Sequence, residues 1–127
     1  MKQIPRISDT EWNVMKILWE HPYYTAMQVY EALKESTAWK PNTVRTLLSR
    51  LVAKGIISYK EDAKTYFYFP LVTEEQSIRA EGKSFLQKVY NGALNIMLTN
   101  FIEENNLTEK DIKELEQLLQ KKKTQRR

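Results

Sequence analysis

Three tetrapeptides fix where helices in this chain begin: Ser8-Asp9-Thr10-Glu11, Thr25-Ala26-Met27-Gln28 and Thr73-Glu74-Glu75-Gln76. Each places a hydroxyl residue three positions before Glu or Gln, and the two side chains then satisfy backbone N–H groups that a helix start leaves unpaired. Behind the first, Trp12, Val14, Met15, Ile17, Leu18 and Trp19 predict a helix with a broad apolar face. It ends near His21-Pro22, because Pro22 cannot continue it. His21 suits the negative end of that helix and reads as structural. Behind the second, Val29, Tyr30 and Leu33 mark a short helix, with Tyr23-Tyr24 ahead of it as a brief strand.

Pro41 suits the first position of a third helix, which runs to about Lys54 and stops at Gly55. Val44, Leu47, Leu48, Leu51 and Val52 form its core face, leaving Asn42, Arg45, Thr46, Ser49 and Arg50 on the other. Ile56–Lys60 and Lys64–Phe69 are rich in β-branched and aromatic residues and bracket Glu61-Asp62-Ala63, which predicts a β-hairpin ended by Pro70. Its run Tyr66-Phe67-Tyr68-Phe69 reads mainly as strand core packed on the first helix. Three helices and a hairpin within about 70 residues describe a winged helix-turn-helix.

Composition removes most other chemistry. Among 127 residues there is no Cys and a single His, so disulfides, thiolate metal sites, thiol catalysis and a nitrogen-ligand cluster are excluded, and no metal or cofactor is expected. The three glycines form no phosphate-cradling pattern. The acidic residues sit mostly in helix caps and exposed turns, which argues against an enzyme. No apolar run approaches the roughly 18 residues of a membrane span, and the N-terminus lacks the apolar core of a signal peptide. A soluble cytoplasmic protein is expected.

From Thr73 the pattern changes. Ile78, Phe85, Leu86, Val89, Tyr90, Leu94, Met97, Leu98, Phe101 and Ile102 recur at three- and four-residue steps, divided into two helices at Asn91-Gly92. Thr108 caps a last helix with Ile112, Leu115, Leu118 and Leu119. Such stripes have no globular body of their own to cover, and pairing with a second copy is the economical way to bury them. The expected organisation is therefore mainly α: a DNA-binding winged helix over 1–72 and a helical dimerisation domain over 73–127, closed by a frayed basic tail.

Charge supports that division. Residues 1–72 hold 10 basic and 7 acidic groups, residues 73–120 hold 5 and 9, and residues 121–127 add five more basic groups. Around the third helix and hairpin, Lys40, Arg45, Arg50, Lys54, Lys60 and Lys64 face only Glu61 and Asp62. Lys and Arg neutralise phosphates, whereas reading sequence needs groups that reach base edges. Arg45 offers a fork for guanine, Asn42 an amide for adenine, and Thr43 and Thr46 a methyl or hydroxyl for thymine. Ser49, Lys54, Lys64 and Tyr66 complete the expected DNA contacts. A charged face alone says only that a helix is solvated; the capped helices, the hairpin and the local charge together point to DNA. Lys40 stands at an N-cap without an acceptor side chain, a defect that a phosphate relieves. Thr37 or water is the other way to complete that cap.

The stretches Ile7-Ser8-Asp9-Thr10-Glu11-Trp12-Asn13-Val14-Met15-Lys16-Ile17-Leu18-Trp19, Pro41-Asn42-Thr43-Val44-Arg45-Thr46-Leu47-Leu48-Ser49-Arg50-Leu51 and Phe85-Leu86-Gln87-Lys88-Val89-Tyr90-Asn91-Gly92 resemble the penicillinase and methicillin-resistance repressor family. The resemblance covers residues 4–120. It implies a dimeric winged-helix repressor of β-lactamase or penicillin-binding-protein genes, reading a dyad containing TACA/TGTA. Asn42, Thr43, Arg45, Thr46 and Arg50 match the family's contact positions. It also implies a membrane β-lactam sensor that leads to proteolytic cutting in Leu98-Thr99-Asn100-Phe101-Ile102, between Asn100 and Phe101. From the residues alone, Phe101 is simply another member of an apolar stripe. Asn42 stands where relatives often carry Lys, and Lys40 where they often carry Ser. Copper-responsive relatives carry a Cys-rich metal motif that this chain lacks. A winged-helix regulator of another operon, switched by a small ligand, is the alternative; a protein–protein adaptor would show no steep salt dependence on DNA.

Overall fold

The protein is described by a computed structural model over residues 4–126; the first three residues and Arg127, at the two ends whose signal-peptide and basic-tail readings are given above, lie outside the described residues. All three tetrapeptides form their reciprocal caps. The Glu11 amide donates to Ser8 Oγ at 3.2 Å while Glu11 Oε1 accepts from the Ser8 amide at 2.9 Å, opening α1 (Asp9–Glu20). Thr25 and Gln28 do the same for α2 (Ala26–Leu33), and Thr73 and Gln76 for α4 (Glu74–Tyr90). Between them α3 (Pro41–Ala53) starts on proline and closes at Gly55, whose φ of +77° is the left-handed conformation that ends a helix without a Cβ clash.

α1, α2 and α3 enclose one core, in which Val14, Met15, Leu18, Val29, Val44, Leu48 and Leu51 are fully buried. Strands β1 (Ile57–Asp62) and β2 (Thr65–Pro70) pair antiparallel from Ile57↔Pro70 to Asp62↔Thr65. The hairpin turn is therefore Ala63-Lys64, shifted from the expected Glu61-Asp62-Ala63. Both turn residues have positive φ, 52° and 66°, as a two-residue turn needs to match the twist of its strands. In place of the expected Tyr23-Tyr24 strand, the α1–α2 loop makes a single bridge to β2: the Tyr23 amide donates to the Tyr68 carbonyl, and the Tyr68 amide to the Tyr24 carbonyl.

Ala63 pays the usual penalty of a Cβ residue in left-handed backbone, which Asn relieves. Ala63→Asn should stabilise the protein by roughly 0.5–1 kcal/mol, read as a rise in Tm. An unchanged or lower Tm would mean that the turn relaxes out of this geometry.

Past the hairpin, Trp19 Nε1 donates to the Val72 carbonyl at 2.9 Å, tying the start of α4 to α1. Ser77, one turn into α4, is 2% exposed, and its hydroxyl donates back to the Thr73 carbonyl. The chain divides into two compact units within α4, between Lys83 and Ser84. In the second unit α4 ends at Asn91 (φ 52°) and Gly92 (φ 85°), with the Gly92 amide on the Leu86 carbonyl. α5 (Leu94–Glu104) follows without a side-chain cap, and α6 (Glu109–Gln125) opens on a capping box of Thr108 and Asp111. Neither α5 nor α6 has a buried residue.

Candidate nucleic-acid interface

The helical period sorts α3 cleanly. Val44, Leu47, Leu48 and Leu51 face the core, and Asn42, Thr43, Arg45, Thr46, Ser49 and Arg50 are all exposed. Local bonds set what several of these can offer. Arg45 Nη1 donates to Asn42 Oδ1 at 3.4 Å, so the guanidinium and the amide are neighbours on one surface. The Thr46 hydroxyl donates to the Asn42 carbonyl at 3.0 Å, one turn back. With its proton spent inside the helix, Thr46 meets a ligand as an acceptor and a methyl group.

Lys40 occupies the N-cap in extended conformation (φ −100°, ψ 164°) and makes no side-chain cap bond. The Thr43 amide bonds the Lys40 carbonyl at 3.0 Å in a tight first turn. Thr37 does not serve this end: its hydroxyl donates to the Leu33 carbonyl and accepts from the Trp39 amide. The positive end of the α3 dipole therefore lies beside a lysine, a combination that favours an anion.

The hairpin supplies the second wall. Strand alternation puts Tyr59, Tyr66 and Tyr68 on one face. Tyr59 and Tyr66 stack at 4.1 Å between ring centroids, 14° from parallel. The Tyr68 phenol is pushed above its ordinary pKa by burial and by Tyr59, while the Arg45 guanidinium pulls the other way. Tyr66 is also raised, by Tyr59 first and then by Glu61. The aromatic run is thus split: Tyr68 packs on the core and Tyr66 is exposed. Tyr59 is absent from the sequence-based contacts, and only the strand register could have placed it beside Tyr66. Lys64 is exposed in the hairpin turn. Lys60 goes to the opposite face, with Nζ 5.4 Å above the Tyr23 ring, beside an open depression lined by Tyr23, Lys60, Asp62 and Phe67.

Lys54, expected as a DNA contact, is paired within the fold. Its Nζ lies 2.6 Å from Glu11 Oε1 and 2.9 Å from the Arg6 carbonyl. Glu11 is 2% exposed, and a buried carboxylate needs a charged partner more than solvent needs another lysine. Burial alone pushes the Glu11 carboxyl up, but the Lys54 ammonium and the Ser8 amide together hold it below its ordinary value of 4.5.

The second unit presents the apolar stripe. Phe85, Val89, Leu94, Phe101, Leu115, Leu118 and Leu119 are exposed, and Leu86, Tyr90 and Met97 half-buried. Ile78, on the first unit's part of α4, is exposed as well. Ile96, at 52% exposure, belongs with them and was not singled out by the spacing. Asn100 and Phe101 lie in α5, with Asn100 Nδ2 3.3 Å from the Tyr90 hydroxyl and the Phe101 ring 6.2 Å from Phe85. Among the described residues no group of His, Asp or Glu could hold a metal ion, and no helix is long and apolar enough to cross a membrane.

Residues 7–121 match the penicillinase repressor family model. The penicillinase repressor of Bacillus licheniformis is 37% identical over 127 residues, covering 100% of this chain and 99% of that protein. The methicillin resistance regulatory protein MecI of Staphylococcus aureus is 40% identical over 116 residues, 91% of this chain and 94% of its own. Among solved structures, the DNA-binding domain of the repressor BlaI aligns with a TM-score of 0.53 at 36% identity, covering 60% of this chain and 93% of that one. The monomeric form of Bacillus licheniformis BlaI in complex with the blaP half-operator aligns with a TM-score of 0.52, at the same identity and coverage. With a winged-helix body, an exposed polar face on α3 and these relatives over nearly its whole length, the chain belongs to the penicillinase repressor family, whose members are DNA-binding transcriptional repressors.

Proposed function

We propose that this protein is a homodimeric repressor that binds a dyad operator of β-lactamase or penicillin-resistance genes in the cytoplasm. The observation that carries the reading is the exposed face of α3. Asn42, Thr43, Arg45 and Thr46 cluster there in the first two turns, next to the open N-cap at Lys40. That is the end a recognition helix inserts into the major groove. Ser49 and Arg50 extend the face, and Lys64 and Tyr66 serve the flanking backbone from the wing. Lys54 is assigned to the fold and not to DNA.

Dimerisation is supported by apolar side chains that one copy leaves exposed along α4, α5 and α6, since a patch of this kind marks an interaction surface. Release follows from proteolysis at Asn100–Phe101 after β-lactam sensing by a membrane sensor and its protease. The bond lies in a helix with no side-chain N-cap and no buried residue within one copy, where local opening to a protease costs little.

The test is Arg45→Ala against a set of single-base operator variants, read by fluorescence anisotropy. Binding should fall by roughly 10- to 100-fold, with base preference relaxed at one position per half-site. An unchanged preference profile would remove Arg45 from the reading face. No binding of the unaltered protein to any dyad would end the repressor reading itself.

A further inference from the structure

We propose that Lys121-Lys122-Lys123 at the end of α6, together with Arg126 and Arg127 that follow in sequence, form a second polyanion contact, and that its partner is the phosphate backbone of DNA. These residues hold five of the chain's 20 basic groups, and without them its formal charge falls from +4 to −1. Residues 73–120 carry 5 basic and 9 acidic groups, so the basic end is the part of the C-terminal half that attracts DNA, in addition to the net positive residues 1–72.

Local structure leaves the cations free. The positions three and four residues before Lys121, Lys122 and Lys123 are Gln117, Leu118, Leu119 and Gln120, so no carboxylate stands where a helical ion pair forms. Among the described residues none of the three lysines has a salt bridge, although all are exposed. α6 continues to Gln125, which holds Lys121, Lys122 and Lys123 on ordered backbone. The helix dipole accounts for one or two cations in the last turn and not for five. The composition also selects the partner. Residues 121–126 contain no apolar side chain, whereas a membrane-surface helix needs Trp, Phe or Leu beside its lysines. Leu118 and Leu119 continue the stripe assigned above to the second copy. Contact with phosphate requires charge alone.

The proposal rests on the DNA-binding reading for the choice of operator, but phosphate attraction does not depend on sequence, so the test uses two duplexes. Full-length protein carrying Lys121→Gln, Lys122→Gln, Lys123→Gln, Arg126→Gln and Arg127→Gln is compared with the unaltered chain on an operator dyad and on an unrelated duplex, over a salt series. If about four phosphate contacts per dimer are lost, the salt slope becomes shallower by about 3.6 on both. The affinity deficit of the variant should then shrink about 100-fold between 50 and 200 mM salt. A variant with Lys121, Lys122 and Lys123 changed to Arg keeps the original slope. Equal slopes for the Gln variant and the unaltered chain overturn the proposal, as does loss of binding to phosphatidylserine vesicles with the DNA slope unchanged. A slope change on both duplexes without operator preference upholds the tail contact and removes the operator reading instead.

Discussion

A chain ending at Asn100 should bind an operator dyad at least 100-fold more weakly than the full chain, yet bind a single half-site almost as well. The cut removes the last turn of α5 and all of α6, and with them Phe101, Ile102, Ile112, Leu115, Leu118 and Leu119. No residue of α5 or α6 is buried within one copy, so the winged-helix unit loses none of its core. What disappears is the linkage between two reading heads, which turns the second binding event into an intramolecular one. The truncation also removes the basic end of α6, and salt separates the two effects. A lost phosphate contact fades as salt rises, whereas a lost dimer does not. Equal affinity of the two chains for the dyad in anisotropy titrations would mean that the C-terminal helices serve something other than paired binding.

The second large effect concerns stability. Lys54→Ala removes the ammonium that faces Glu11 at 2.6 Å and leaves a buried carboxylate with the Ser8 amide as its remaining partner. Breaking a buried pair costs about 3–5 kcal/mol. Lys54 is itself 34% exposed, and water there screens part of the interaction, so about 2 kcal/mol is expected. For a unit of this size that is a fall in Tm on the order of 10 °C. The pH dependence has a definite sign. Because the folded pKa of Glu11 lies below 4.5, its contribution is present above 4.5 and is lost as pH falls through the folded value. Unaltered protein and variant should therefore differ most near neutrality and converge in acid. A constant gap down to pH 3, or no gap at pH 7, would contradict the pairing. Lys54→Met combined with Glu11→Gln should recover part of the loss, since neither residue then buries a charge.

Where a feature depends on neighbours in sequence, the chain announces it. Ser8 with Glu11, Thr25 with Gln28, and Thr73 with Gln76 need only a three-residue spacing, and the alternation of Val44, Leu47, Leu48 and Leu51 with Asn42, Arg45 and Thr46 divides α3 without any tertiary information. The hairpin was legible as a hairpin but misplaced at its turn, because Glu61-Asp62 reads as polar turn chemistry while left-handed geometry falls on Ala63 and Lys64. The pairing of Lys54 was hidden for a different reason. Its partner Glu11 lies 43 residues earlier, and a lysine on a DNA-facing helix looks the same whether its ammonium meets phosphate or a buried carboxylate. Ser77 hid the extension of the first unit into α4: a serine carries no apolar signal, and it is buried without penalty because its hydroxyl returns to Thr73.

The indole placement makes the molecule optically lopsided. Trp12, Trp19 and Trp39 are its three tryptophans, and all lie in the winged-helix unit. Trp19 holds the carbonyl of Val72 at the entry to α4, and the Trp12 ring lies 5.4 Å from it. Indole emission therefore originates in the reading head and the start of α4, whereas α5 and α6 carry no Trp. Heating that separates or melts the C-terminal helices first would lower the far-ultraviolet helical signal while tryptophan emission stayed constant. Tryptophan emission thus follows the reading head in an unlabelled sample, while the far-ultraviolet signal sums all six helices.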